Sequence, residues 1–181
     1  MKIIQEFDKN GPILFSPDVH DDERGYFFES YNERRFNDLM GTDINFVQDN
    51  ESKSSYGVVR GMHCQTGYSE QAKLVRVVKG SVIDVVVDNR PDSPNYKKVY
   101  HIELSDENHY LFFVPKGFLH GFIATGEGEN VFQYKCDNFY DKESELGYRW
   151  NSIDFDWEGE SCVKLEDIIV SEKDGNLPPY V

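Results

Sequence analysis

The chain has 181 residues, the usual length of one domain, and is long enough to bury a hydrophobic core. Its 33 acidic and 19 basic residues give a formal charge of −14. This charge argues against nucleic acids and anionic membranes as partners, because both require a cationic surface.

The three cysteines, Cys64, Cys136 and Cys162, are odd in number, widely spaced and without a CxxC pair. Neither a disulfide framework nor a zinc cage is indicated, and a reducing compartment fits best. The N-terminus lacks an apolar signal region, and no run reaches the ~18 apolar residues of a membrane span. We therefore expect an unprocessed cytoplasmic protein without membrane contact.

The first part of the chain predicts little regular structure. Residues 11–17 read as a short strand, and residues 21–25 as a polar turn before the aromatic stretch 26–31. Residues 32–40 are the best helix candidate, because Asn32 can cap this segment and Gly41 can end it. We expect this helix to be peripheral.

From Lys73 onward the apolar residues alternate, as in strands with one buried face. Turn-forming clusters separate six predicted strands at residues 73–78, 81–88, 96–104, 109–115, 118–125 and 130–137. Regular short strands predict an all-β, antiparallel double-sheet jelly roll with a few short peripheral helices. We expect one domain over 1–181, with an acidic C-terminal extension from about residue 150 that contains no second core.

Alternate residues of a strand share a face, so strand parity indicates what lies inside. His120 shares a face with Phe118, Phe122 and Ala124, Tyr134 with Phe132 and Cys136, and Lys73 with Val75 and Val77. Considered separately, His120 is interpreted as a core histidine, Tyr134 as a packed tyrosine and Lys73 as a solvated edge lysine. Because buried titratable groups are costly unless paired, three in one interior favour a functional pocket. His63 extends this set. In a regular strand, His63 and Arg60 would point to opposite faces. A bulge at Gly61 would bring both side chains onto the same face.

Two other kinds of site are disfavoured. Residues 115–120 match the PxGxxH element of metal-binding cupins, but the companion His-x-His pair is replaced by His63-Cys64-Gln65. Lys73 then stands where a carboxylate ligand is expected, and its charge repels a divalent cation. Cys64 and His63 are adjacent in a strand and point to opposite faces, so we assign Cys64 to the core rather than to a nucleophile.

Several stretches together resemble the dTDP-4-dehydrorhamnose 3,5-epimerase family over residues 11–174. They are residues 22–29 (DERGYFFE), 48–50 (QDN), 60–65 (RGMHCQ), 71–77 (QAKLVRV), 115–122 (PKGFLHGF), 134–136 (YKC), Tyr140 with Glu145, and 171–174 (SEKD). Their occurrence in order is specific. The resemblance implies a cupin jelly roll, a homodimer that exchanges N-terminal strands, a site at the barrel mouth and no cofactor or metal.

The resemblance also implies the site residues. His63 is the expected general base, Asp174 its partner, Tyr134 the proton donor and Lys73 the cation beside the sugar carbonyl. His120 is expected to line the sugar pocket and Tyr140 to stack on thymine. The remaining expected contacts to the dTDP-sugar come from Arg24, Phe27, Glu29, Gln48, Asn50, Arg60, Glu145 and Lys173, with Arg24 serving the neighbouring subunit.

The residue types suit this chemistry. In a 4-keto sugar the hydrogens at C3 and C5 are both α to the carbonyl, so a base can remove either one if a cation stabilises the enolate. Inversion then needs an acid on the opposite face, as Tyr134 can supply. The expected reaction therefore converts dTDP-4-dehydro-6-deoxy-D-glucose to dTDP-4-dehydro-L-rhamnose, for dTDP-L-rhamnose biosynthesis. Epimerisation at one centre only, a 4-keto sugar isomerase and a non-catalytic cupin are the alternatives.

The sequence departs from the family pattern in three places. Cys64 replaces the usual aromatic residue after the base, and residues 66–70 lack the expected prolines. The segment 157–174 is a few residues longer than the family pattern. Because the last departure affects the alignment of Asp174, Asp84 is an alternative partner for His63. Asp84 aligns with Val82 and Val86 and is otherwise read as an outward carboxylate.

Overall fold

The computed structural model describes all residues, 1–181, and consists mainly of strands. The fourteen strands are β1 Lys2–Glu6, β2 Ile13–Ser16, β3 His20–Asp22, β4 Gly25–Phe27, β5 Gln48–Ser54, β6 Val58–Gln65, β7 Lys73–Lys79, β8 Ser81–Asp88, β9 Val99–Ser105, β10 Leu111–Val114, β11 Phe118–Ala124, β12 Asn130–Cys136, β13 Glu145–Gly147 and β14 Ile169–Val170. The α-helices are α1 Glu33–Met40, α2 Trp157–Ser161 and α3 Glu172–Gly175. None of these helices has the length and apolar character needed to cross a membrane.

Two sheets face each other. The first has the strand order β1-β2-β10-β7-β12-β5, and the second has the order β13-β6-β11-β8-β9, with β14 beside β6. All pairings are antiparallel except that of β14 with β6. The predicted all-β jelly roll with few short helices is confirmed. The hairpin of β3 and β4 pairs with neither sheet.

A hydrophobic cluster fills the space between the sheets. Its twelve buried members are Leu14, Val75, Val77, Val82, Val86, Tyr100, Leu104, Phe112, Val114, Phe118, Phe122 and Phe132. The members from β7, β11 and β12 are those that strand parity assigned to the interior. Because side chains two positions apart share a face, these strands also direct Lys73, His120 and Tyr134 inward.

Helix α1 covers the outer face of the first sheet. The Asn32 side chain accepts a hydrogen bond from the Arg35 N–H at 3.2 Å, and Gly41 ends the helix in the left-handed region at φ 63°. Phe36 is fully buried and packs with Phe15 and with neighbours on β7 and β10. The predicted helix and both of its ends are confirmed.

The C-terminal region covers the outer face of the second sheet. Ile153, Trp157 and Val163 join a buried cluster with apolar residues of β6, β8 and β11. The segment therefore completes a second hydrophobic layer together with the sheet rather than forming a core of its own. The nearly continuous apolar sequence of β8 explains the layer, since the strand is apolar on both faces and each face needs a cover.

Candidate active site

The candidate site is a cleft between the two sheets. It consists of two adjoining cavities of about 280 and 400 Å³ that share Asn50, His63, Lys73 and Tyr134 as lining residues. These residues come from β5, β6, β7 and β12, so both sheets contribute. The cleft is therefore part of the barrel interior that strand parity identified.

A bulge at Gly61 shapes the β6 side of the cleft. His63 lies opposite His120 on β11 and Arg60 lies opposite Phe122, so β6 contains one extra residue between these pairs. Gly61 has φ 121°, and a Cβ there would lie 2.6 Å from the Gly121 Cα. No other residue fits this position without moving backbone. The predicted bulge is confirmed, and both Arg60 and His63 line the cleft.

His63 is paired with Asp174. Its Nε2 lies 2.9 Å from one carboxylate oxygen, and the Gly61 N–H donates to the other at 3.5 Å. Burial raises the pKa of Asp174, but the hydrogen bond and charge of His63, the Gly61 N–H and the charge of Lys173 together outweigh burial, so the net pKa falls below its usual value. Nδ1 of His63 has no partner in the protein and is left for a ligand. Asp174, not Asp84, is thus the partner of His63.

Lys73 begins β7 and is enclosed by the cleft. Its ammonium lies 5.8 Å from the centre of the Tyr134 ring and makes no ion pair. Burial lowers the pKa of Lys73, while Cys136, Cys64, Asp84 and Glu145 oppose this shift. An unpaired, poorly hydrated cation is well suited to stabilise negative charge on a ligand.

Tyr134 faces the cleft from β12. Its ring packs against Phe132 with centroids 6.1 Å apart, and β5 and β7 flank its backbone. Burial raises the pKa of Tyr134. The hydroxyl therefore keeps its proton at neutral pH and can act as a proton donor rather than a base.

Polar residues at one end of the cleft form a hydrogen-bonded group. The Tyr140 hydroxyl donates to Glu145 at 3.0 Å, and Glu145 also forms an ion pair with Lys173. The Gln48 side chain donates to Asn50 at 3.0 Å and accepts from the Tyr140 N–H at 3.2 Å. Tyr140 is 51% exposed, which leaves its ring open for stacking.

Arg60 supplies a cation to the larger of the two cavities. Its guanidinium donates to Ser54 Oγ at 3.0 Å and to the Lys53 carbonyl at 3.1 Å. No carboxylate is paired with it, so the positive charge is available to an anion. The few cations of this acidic chain that face the cleft, Arg60, Lys73 and Lys173, are thus gathered around one volume.

Comparison with known proteins gives a consistent family. The family model for dTDP-4-dehydrorhamnose 3,5-epimerase matches residues 7–180. The chain belongs to this family. The enzyme of that name from Methanothermobacter thermautotrophicus is 45% identical over 172 residues, which cover 94% of this chain and 90% of the relative.

Solved structures agree with the family assignment. The crystal structure of the Elizabethkingia anophelis NUHP1 dTDP-4-dehydrorhamnose 3,5-epimerase has a TM-score of 0.90 and 48% identity, covering 99% of this chain and 96% of that one. An epimerase from Legionella pneumophila Philadelphia 1, in complex with dTDP-4-keto-L-rhamnose, has a TM-score of 0.84 and 34% identity, covering 99% and 98%. Epimerases are isomerases, so the predicted enzyme class and cupin-type jelly roll are confirmed.

Three residues implied by the family resemblance lie away from the cleft. Arg24 is on the β3–β4 hairpin and pairs with Asp22. Phe27 is 70% exposed, and Glu29 pairs with Arg35 at 2.7 Å. Within one chain of this epimerase family member, these residues do not meet the other site residues.

Sequence reasoning assigned no role in the site to two groups of the cleft and misplaced a third. Ser52 on β5 lines the cleft, and its buried hydroxyl has no hydrogen-bond partner. Ser52 is two positions from Asn50 and therefore shares its face of β5, which could have indicated its place in the site. The polar sequence of β5 did not predict a strand, so this relation was not used. Cys136 accepts a hydrogen bond from the Asn50 side chain at 3.7 Å. Asp84, read as an outward carboxylate, is fully buried beside His120.

Cys64 is a core residue, as predicted. It is 7% exposed, packs in the outer cluster of the second sheet, and burial raises the pKa of its thiol to about 11. A thiol with this pKa is almost entirely protonated and is a poor nucleophile near neutrality. Nowhere in residues 1–181 do three His, Cys, Asp or Glu side chains come together in an arrangement that could hold a metal ion.

Proposed function

We propose that the protein inverts C3 and C5 of dTDP-4-dehydro-6-deoxy-D-glucose, giving dTDP-4-dehydro-L-rhamnose for dTDP-L-rhamnose biosynthesis. The observation that carries the proposal is the placement of a His63–Asp174 pair and the Tyr134 hydroxyl around one cleft, with the Lys73 ammonium inside it. The Legionella relative supports the substrate class, since its structure contains dTDP-4-keto-L-rhamnose.

Proton removal is the first step at each centre. Nδ1 of neutral His63 removes the proton from the carbon next to the C4 carbonyl. The electron pair of the broken C–H bond stays on the sugar and forms the enolate. Asp174 holds Nε2 and stabilises the imidazolium that results. Lys73 stabilises the enolate oxygen, a charge that exists only after proton removal, so this contact lowers the barrier rather than only tightening binding.

Proton delivery to the opposite face completes the inversion. Tyr134 gives its hydroxyl proton to the carbon, and the enolate electrons return to form the new C–H bond. This leaves His63 protonated and Tyr134 ionised. Exchange with water restores both groups before the next inversion, so each centre acquires one hydrogen from solvent. The chemistry requires no metal, because Lys73 supplies the positive charge.

The polar ends of the cleft suit the nucleotide part of the substrate. Arg60 and Lys173 provide charge for the diphosphate, and the unpartnered Ser52 hydroxyl lines the same cavity. The exposed Tyr140 ring can stack on thymine. We place the reaction in the cytoplasm, which agrees with three free cysteines.

Solvent deuterium gives the direct test. Incubation with dTDP-4-keto-6-deoxyglucose in D2O is expected to introduce two deuterons, at C3 and C5, detected by mass spectrometry and located by NMR. One deuteron would replace the proposal by epimerisation at a single centre. Movement of the ketone to C3 would indicate a keto isomerase. Substrate binding without any deuterium would indicate a non-catalytic cupin.

We also propose that the active form is a homodimer in which the hairpin of one chain completes the cleft of the other. The hairpin pairs with neither sheet and exposes Tyr26 and Phe27 by 54% and 70%. Such aromatic exposure is typical of an interaction surface. Arg24 on this hairpin would add a bidentate phosphate partner to the neighbouring cleft.

Complementation between two inactive variants tests this arrangement. Light scattering should give twice the 21.0 kDa chain mass. Arg24→Ala and His63→Ala, refolded together in equal amounts, should recover about a quarter of wild-type activity, because half of the dimers carry one intact site. A dimer whose mixed variants stay inactive would place Arg24 in its own subunit, and a monomer with full activity would refute the dimer.

A further inference from the structure

A second histidine–aspartate pair lies in the barrel beside the first. His120 on β11 is directly opposite His63 on β6. Its Nε2 lies 2.9 and 3.1 Å from the two carboxylate oxygens of Asp84. Asp84 belongs to β8, has no exposed surface and forms no other side-chain hydrogen bond. This carboxylate is therefore committed to one imidazole.

The fold gains little from a carboxylate at position 84. Its neighbours on the same face, Val82 and Val86, belong to the hydrophobic cluster between the sheets. Burial raises the pKa of Asp84, and the charge and hydrogen bond of His120 oppose that rise. Replacing a buried ion pair by well-packed apolar residues is often neutral or stabilising. The pairing of Asp84 with a residue that lines the cleft points to a role in the site.

The contact determines how His120 meets a ligand. An ionised carboxylate can only accept hydrogen bonds, so the charged form of Asp84, with both oxygens facing Nε2, requires that nitrogen to carry the proton and donate it. Nδ1 has no partner in the protein, is not sealed from solvent, and belongs to a lining residue of the cleft. An imidazole held in this tautomer presents Nδ1 as a hydrogen-bond acceptor, which matches a hydroxyl group.

We propose that Asp84 is a positioning residue for the sugar. It fixes His120 as the Nε2–H tautomer, so that Nδ1 accepts a hydrogen bond from a sugar hydroxyl. The inference rests on the proposed function and extends it to a residue outside the predicted site. One base must reach two different carbons, and a fixed acceptor on the strand next to His63 keeps the ring in register with that base.

Asp84→Asn tests this role because it keeps the size of the side chain and removes the charge that sets the tautomer. We expect kcat/KM for epimerisation to fall about 10- to 100-fold, as for other residues that orient an imidazole. The affinity for dTDP, measured by calorimetry, should stay within about twofold, because the nucleotide contacts lie elsewhere in the cleft.

Asp88→Asn is the matched control. Asp88 is on the same strand and equally buried, but it pairs with Arg90 and Ser93. Its replacement should lower the Tm and leave kcat/KM and dTDP affinity unchanged. If Asp84→Asn keeps wild-type kcat/KM, or loses dTDP affinity in proportion, the proposal is wrong.

A spectrum of the wild-type protein provides a test that needs no variant. Long-range proton–nitrogen NMR should show the neutral His120 ring protonated at Nε2. A proton on Nδ1 would overturn the inference even if Asp84→Asn fails to fold. Absence of turnover in the wild type would instead defeat the proposed epimerase function, whereas the NMR result reports on the Asp84–His120 pair independently of turnover.

Discussion

Replacement of His63 by alanine is expected to stop deuterium exchange at both C3 and C5. His63 is the proposed base because its Nδ1 is free and its Nε2 is held by Asp174, whereas Nδ1 of His120 is the proposed acceptor for a sugar hydroxyl. A general base typically contributes about 10²–10⁴ in rate, so turnover should fall by at least this range. Proton NMR of the substrate in D2O measures the loss at each centre separately.

His101→Ala is a suitable control for this experiment. His101 lies on β9 and pairs with Glu160 at 3.1 Å, outside the cleft. The His101→Ala variant should retain wild-type deuterium exchange at C3 and C5. Removal of His63 also leaves the Asp174 carboxylate without its partner, which should cost about 1–3 kcal/mol of the free energy of unfolding. Exchange that persists at one centre in His63→Ala would show that a different base serves that centre.

Tyr134→Phe is expected to separate exchange from inversion. His63 and Lys73 remain, so the α hydrogens can still be removed and returned on the same face. Without the hydroxyl, delivery to the opposite face should slow by about 10²–10⁴-fold. Mass spectrometry should therefore find deuterium in recovered substrate, while NMR finds little product. The Phe ring keeps the packing against Phe132, so stability should change little.

Tyr100→Phe controls for the loss of a buried tyrosine hydroxyl. Tyr100 belongs to the same interior cluster, but its hydroxyl donates to Asp8 at 2.8 Å, away from the cleft. The Tyr100→Phe variant should epimerise the substrate at the wild-type rate. Full inversion by Tyr134→Phe would assign the acid to another group or to water.

The strands predicted most accurately are apolar segments bounded by clear turn-forming clusters. β7, β8, β11 and β12 match their predictions to within one residue at each end, because their apolar faces pack against the opposite sheet. β5 was missed, since its sequence QDNESKS is polar and its side chains line the cleft or meet solvent. β13 and β14 are short edge strands whose pairing with β6 depends on tertiary contacts, which local sequence does not encode.

The site shows the same division. Parity alone placed His120, Tyr134 and Lys73 in the interior, because it depends only on strand geometry. The partner of His63 came from family resemblance, since 111 positions separate it from Asp174. Asp84 was misread because a carboxylate on a strand face is usually solvent-exposed. Parity with two interior valines was the better guide once β8 was known to be covered on both sides.

The carboxylate that completes the base arrives with the last segment of the chain. β14 lies parallel to β6, and α3 then carries Asp174 to His63. During synthesis, the strands that carry His63, Lys73 and Tyr134 emerge first and can assemble before this segment docks. A proteolytic cut between α2 and β14 would leave both sheets hydrogen-bonded while releasing the tether on Asp174. Turnover would therefore be lost well before the barrel melts, and activity would report the docking of the C-terminal segment more sensitively than circular dichroism.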